Sequence, residues 1–129
     1  MLESRQMLSM TVSLSGSTVN FVGDANPDFL TLTVGATGLL THDLPLDGNL
    51  VSAVDLDSAT AGEQSLAASA VGALTADAGE GNDWIDTTAF SGAVLIDGGG
   101  GDDTILSGDG NDTLIGQAGH DWLEAGAGD

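Results

Sequence analysis

The sequence predicts an all-β chain wound as a solenoid. Three observations carry that prediction: a nine-residue repeat of glycine and aspartate in the second half, short alternating runs of Thr, Val and Leu in the first, and too few large apolar side chains for an ordinary layered core. The chain of 129 residues holds 20 glycines but only 3 Phe and 2 Trp. Its 20 Asp and Glu face one basic residue, Arg5, for a formal charge of −19. With no Lys/Arg cluster to neutralise phosphates, nucleic-acid binding is excluded, and anionic membrane surfaces are disfavoured. The absence of cysteine removes disulfides, thiol nucleophiles and thiolate metal sites. No run approaches the roughly 18 apolar residues that span a bilayer, and the opening Met1–Met7 lacks the apolar stretch of a signal peptide. The expectation is a soluble chain without membrane insertion.

Composition divides the chain at residue 77. Residues 1–76 hold 7 glycines and 8 acidic residues, whereas the shorter 77–129 holds 13 and 12. Residues 1–76 read as a strand-rich N-terminal region continuous with the solenoid. Thr11-Val12-Ser13-Leu14 and Leu30-Thr31-Leu32-Thr33-Val34 alternate like strands, bounded by Gly, Asn and Pro turns. Between them, Gly23–Thr31 looks like a degenerate repeat with Asn26 in place of a glycine, and its Asp28 reads as an Asx-turn residue. Asp28 and Asp83 lie close to three eighteen-residue circuits apart, which hints at one continuous solenoid. For Ala59–Gly72 a capping box at Thr60–Glu63 favours a short helix. Gly62 and Gly72 and weak apolar spacing favour irregular or strand-like coils, which is the expectation taken.

From residue 78 the repeat is explicit. Ala78–Asp86, Gly98–Leu106, Ser107–Ile115 and Gly116–Glu124 align, and Ala125–Asp129 stops in mid-repeat, as in a piece of a longer protein. Position four is Gly81, Gly101, Gly110 and Gly119; position six is Asp83, Asp103, Asp112 and Asp121; position eight is Ile85, Ile105, Leu114 and Leu123. The first six positions are turn formers and the last three a minimal strand, whose middle residue faces the interior. Two blocks then make one circuit, and residues eighteen apart lie above one another. Asp83, Asp103 and Asp121 form a column on one edge, with two residues looped out between the first pair. Asp112 stands on the other edge, and Thr87–Asp97 supplies the far side of the preceding circuit.

A column of bare carboxylates repels itself, and a divalent cation reverses the sign. Calcium takes 6–8 oxygen ligands, a set that carboxylates and the carbonyls of glycine loops supply. Magnesium demands stricter geometry, and zinc lacks ligands here beyond His42 and His120.

These blocks resemble the RTX, or haemolysin-type, calcium-binding repeats, G-G-x-G-x-D-x-U-x. The resemblance covers residues 78–129, and Gly98–Leu106 fits every defined position. It implies a right-handed parallel β-roll with Ca2+ held between loops one circuit apart. By the family pattern, the lower loop gives the carbonyls of positions two and four with its Asp, and the upper loop those of one and three with its own. Carried over, one site uses Gly79, Gly81 and Asp83 with Gly98, Gly100 and Asp103. A second uses Gly99, Gly101 and Asp103 with Gly116, Ala118 and Asp121. A half-site at Gly108, Gly110 and Asp112 faces Ala125 and Ala127. Gln117, at a glycine position, is the least comfortable departure. The resemblance also implies calcium-coupled folding in a secreted, extracellular protein exported by a type I channel.

Asp97, Asp102 and Asp109 read as solvated loop carboxylates, and His120 as a surface loop residue. Trp84, Thr104 and Trp122, all at position seven, point outward. The chain has no metalloprotease, nucleophile-elbow, P-loop or EF-hand pattern, so no enzyme is expected. The alternatives are a structural or adhesive surface solenoid with a glycan or protein partner, and an accessory domain of a secreted hydrolase or toxin.

Overall fold

The computed structural model describes residues 11–34, 39–42, 66–67 and 71–128. Its strands are β1 (Thr11–Ser15), β2 (Thr18–Val22), β3 (Phe29–Val34), β4 (Leu39–His42), β5 (Leu66–Ala67), β6 (Ala73–Asp77), β7 (Trp84–Thr87), β8 (Ala93–Asp97), β9 (Thr104–Ser107), β10 (Thr113–Ile115) and β11 (Trp122–Glu124). Among the described residues there is no helix, and none long and apolar enough to cross a membrane.

The strands form two sheets, ordered β1-β2-β6-β8-β10 and β11-β9-β7-β3-β4-β5. From β2 to β10 and from β3 to β11 every pairing is parallel. Only β1, β4 and β5 pair antiparallel. The chain therefore climbs in rungs, β2–β3, β6–β7, β8–β9 and β10–β11, each crossing from one sheet to the other. Two parallel sheets wound this way, without closure, are a parallel β-roll. The change in composition at residue 77 coincides with the last residue of β6, but the roll begins at β2.

Period-two alternation supplies the interior. Val19, Phe21, Leu74, Ala76, Val94 and Ile96 point inward from one sheet and Leu30, Leu32, Ile85 and Ile105 from the other, all buried. Each such large side chain, fully buried, contributes on the order of 1.5–3 kcal/mol. Of the expected interior set, Ile85 and Ile105 are fully buried, Leu114 is partly buried, and Leu123 is 43% exposed. Leu123 is on the last rung, where β11 pairs with β9 alone.

The twenty-residue step from Trp84 to Thr104 is made, as expected, by looping two residues out. Thr87 pairs with Ser107, twenty residues ahead, whereas Leu95 pairs with Thr113, only eighteen ahead. The extra pair is taken up in the turn after β7, and β8 matches β6 one for one. On the far edge, the return 88–92 lacks the Gly-Asp signature and carries Phe90 instead. That ring is buried, and the Phe90 amide donates to the Thr87 carbonyl at 2.9 Å. Within Ala59–Gly72 only β5, Val71 and Gly72 are described; β5 is strand, and the capping box lies outside the described residues.

Candidate metal centre

The loops 23–28, 78–83, 98–103 and 116–121 stack along one edge of the roll. The last three share one bonding scheme, and the first follows it at most positions. At position one, the amides of Gly23, Ala78 and Gly98 donate to Asp77, Asp97 and Ile115 (2.7–2.9 Å). At position three, the amides of Glu80, Gly100 and Ala118 donate back to the carbonyls of Asp24, Gly79 and Gly99 (2.9–3.0 Å). Residues 80, 100 and 118 bridge in parallel.

This close stacking requires backbone that only glycine reaches without strain. Gly99 sits at φ 89 and Gly101 at φ 130, and a side chain on either would collide with the carbonyl oxygen of Gly79 or Gly81 beneath it. Gln117, at the same position as Gly99, adopts φ 69. Its exposed amide compensates locally, donating to Asp97 Oδ1 at 2.6 Å. Gly99→Ala is expected to destabilise the roll by about 1–3 kcal/mol from backbone strain alone, with the carbonyl overlap added. A thermal melt in calcium checks this, since an unchanged midpoint would mean the loops do not stack as closely.

Position six holds the aspartates, and those of the three repeat loops reach beyond their own loops. Asp83 Oδ1 accepts from the Asp28 amide at 2.7 Å, Asp103 Oδ1 from the Asp83 amide at 2.9 Å, and Asp121 Oδ1 from the Asp103 amide at 3.1 Å. Each carboxylate thus reaches to the preceding rung with one oxygen. The other oxygen, Oδ2, has no partner in Asp83 or Asp103, although these residues are only 2% and 1% exposed. A buried carboxylate oxygen without a hydrogen bond is costly.

The electrostatics agree. Burial pushes the Asp83 carboxyl up from 3.8 to about 7, helped by the charges of Asp103, Asp28 and Asp24. Burial also raises Asp103, with repulsion from Asp121, Asp102 and Asp97 adding to it. Without a cation, both carboxyls keep their protons to higher pH than a carboxyl in water does.

The donor set fits a hard, oxygen-seeking cation. Among the described residues no three His, Cys, Asp or Glu side chains gather as a metal cluster, so a cation here must draw on backbone carbonyls. The absent Cβ atoms leave it room: a side chain at Gly98 would meet Asp103 Oδ2, and one at Gly116 would meet Asp121 Oδ2. Gly79, Gly81, Gly98, Gly99, Gly100, Gly101, Gly116 and Ala118 lie in these loops beside Asp83, Asp103 and Asp121. On the opposite edge, Asp112 Oδ1 accepts from Val94 at 3.1 Å, and the Gly110 amide donates to Ala127 at 3.0 Å. Gly108, Gly110 and Asp112 are therefore separated from the main column, as the repeat arithmetic places them.

Two features add to the sequence reading. Asp102 and Asp109 are exposed, as expected of solvated loop carboxylates, yet they and Asp97 also accept hydrogen bonds from a neighbouring rung. Asp102 accepts from the His120 amide and Asp109 from the Ala127 amide, each eighteen residues ahead (2.9 and 3.0 Å), and Asp97 takes the Gln117 side chain. They form an outer ladder between rungs. Asp28, read as an isolated turn residue, does cap its own loop, its Oδ2 accepting from the Asp24 amide at 3.1 Å, and it also heads the aspartate column directly next to Asp83. The surviving Asp and Leu at positions six and eight of Gly23–Thr31 were the available signal. Trp84 and Trp122 are exposed at position seven, flanking Thr104 in register. His120 is exposed, 3.7 Å from Asp102.

Comparison with known families gives a match to the RTX calcium-binding nonapeptide repeat, in four copies, over residues 75–90, 91–114 and 97–129. No curated protein and no solved structure matches the chain. The stacked Gly-Asp loops and this match have one meaning: residues 75–129 belong to the RTX, haemolysin-type repeat family, whose repeats bind Ca2+.

Proposed function

We propose that this chain is a non-enzymatic module of a secreted protein whose roll is consolidated by calcium between stacked loops. The observation that carries the reading is the pair of buried, unpartnered oxygens, Asp83 Oδ2 and Asp103 Oδ2, each beside a glycine loop. One site would be held by Gly79, Gly81 and Asp83 with Gly98, Gly100 and Asp103. A second would be held by Gly99, Gly101 and Asp103 with Gly116, Ala118 and Asp121. Gly108, Gly110 and Asp112 would form a half-site towards Ala125 and Ala127. A bound calcium supplies positive charge and coordination to oxygens that have neither. The protein supplies a cradle whose backbone is held by the inter-rung hydrogen bonds once the loops stack.

Repeats of this family are typical of secreted bacterial proteins, and the physics suits that setting. Extracellular modules bind calcium at about 10⁻⁴–10⁻³ M, so such a chain stays loose at cytosolic calcium and orders outside. Titration calorimetry is the test. Calcium should bind in that range with magnesium much weaker, and no calcium heat up to 10 mM, roughly tenfold above the range, contradicts the reading.

The raised carboxyls fix a pH dependence. Without metal, Asp83 stabilises the fold most below 3.8, and that contribution is lost as pH rises through about 7. Calcium must displace the proton, so its affinity moves the other way. Below about 7 it should fall by up to tenfold per pH unit for each proton displaced. Calorimetry at pH 5.5 and 8 checks the sign.

A further inference from the structure

We propose that the loop 23–28, outside the repeat region, forms an additional calcium site with the loop 78–83 and so fastens the N-terminal rung to the repeats. This rests on the calcium reading above but concerns residues that the family match does not reach, since that match begins at residue 75.

The two loops are joined in the manner of the repeats although Asp28 and Asp83 are 55 positions apart in sequence. The Glu80 amide donates to the Asp24 carbonyl (2.9 Å) and the Trp84 amide to the Asp28 carbonyl (2.8 Å). One rung on, Gly100 meets Gly79 (2.9 Å) and Thr104 meets Asp83 (2.8 Å) in the same way. The absent Cβ of Gly79 abuts the Asp24 carbonyl, and that of Gly81 the Asn26 carbonyl, as those of Gly99 and Gly101 abut Gly79 and Gly81.

Two oxygens then point to a ligand. Asp28 is fully buried and its Oδ1 has no hydrogen-bond partner; Asp83 is 2% exposed and its Oδ2 has none. Gly23 supplies the space, because a Cβ there would meet both Asp28 Oδ2 and the Ala78 carbonyl. By position, the ligands are the carbonyls of Asp24, Asn26, Ala78 and Glu80 with the carboxylates of Asp28 and Asp83, an all-oxygen set of six. That number lies within the 6–8 calcium prefers. Asp24 departs from the repeat pattern, using Oδ1 to hold the Asn26 amide at 2.7 Å, which fixes the loop where a glycine would otherwise sit.

Equilibrium dialysis of the full chain against millimolar calcium tests this, comparing wild type with Asp28→Asn. The variant keeps the shape and one carbonyl oxygen but loses the charge. It should bind one calcium fewer per chain and lose calcium-dependent amide protection in β2 and β3, while β8–β11 keep theirs. Gly23→Ala leaves every carboxylate in place and should lose the same ion. An unchanged ion count in either variant, with wild type binding normally, overturns the additional site and leaves the repeat sites standing. Absence of calcium binding in wild type would instead overturn the calcium reading itself.

Discussion

Asp103→Ala is expected to raise the calcium concentration needed to order the repeat region by at least tenfold, well beyond the effect of Asp112→Ala. Asp103 is flanked on both sides: its Oδ1 accepts from Asp83 at 2.9 Å, and its amide donates to Asp121 at 3.1 Å. Its carboxylate would therefore serve both proposed repeat sites. Interactions with a charged partner contribute about 1.5–3 kcal/mol each, and 1.4 kcal/mol is a factor of ten. Asp112, on the other edge, serves one half-site, so Asp112→Ala should have the smaller effect. In chelator, removing this carboxylate relieves repulsion but leaves the Asp83 amide without its acceptor, so the metal-free chain should change less than the calcium-bound one. A circular-dichroism titration of both variants decides it, and equal shifts for Asp103→Ala and Asp112→Ala contradict the stacked-site assignment.

Chelation of calcium is expected to abolish the slow hydrogen exchange of β7–β11. The core of this segment is small: Ile85, Phe90, Val94, Ile96 and Ile105 are its buried apolar residues. Against them stand the backbone entropy of 13 glycines and the repulsion of 12 acidic residues in 77–129. Ordering costs roughly 1–2 kcal/mol per residue in backbone entropy, and glycine loses more than any other residue. Ligand binding to the folded state alone stabilises it by about 2.7 kcal/mol at one hundred times Kd, and several sites add. Amide exchange followed by mass spectrometry should therefore show protection in β7–β11 at millimolar calcium and its loss in chelator. Equal protection in both would show that apolar packing alone carries the roll.

The parts legible in the sequence were those that repeat locally. Asp83, Asp103 and Asp121 fall in one column because eighteen to twenty residues make a rung, and the opposite placement of Asp112 follows from the same arithmetic. Ile85 and Ile105 turn inward because a three-residue strand has one inner position. Where a rung departs from the nonapeptide, the reading weakened. The spacer 88–97 has no glycine-aspartate signal, so the arithmetic gave the two looped-out residues but not the buried Phe90 that fills their turn. Asp28 was obscure for a different reason. Its partner Asp83 is brought beside it only by parallel pairing of β3 with β7 across an intervening 55-residue separation, which local periodicity does not encode. The exposure of Leu123 reflects its place on the last rung rather than its residue type. The outer bonds of Asp97, Asp102 and Asp109 need the rung spacing in three dimensions, because each partner is a full circuit away.

The most direct measurement is a crystal structure of the full chain grown in calcium, with anomalous data to identify the ion. Calcium-mediated stacking predicts metal between the loops 78–83 and 98–103 and between 98–103 and 116–121, with Asp83 Oδ2 and Asp103 Oδ2 turned onto it among 6–8 oxygens. Loops empty of metal at millimolar calcium, with those two oxygens hydrogen-bonded to protein or water instead, would contradict it.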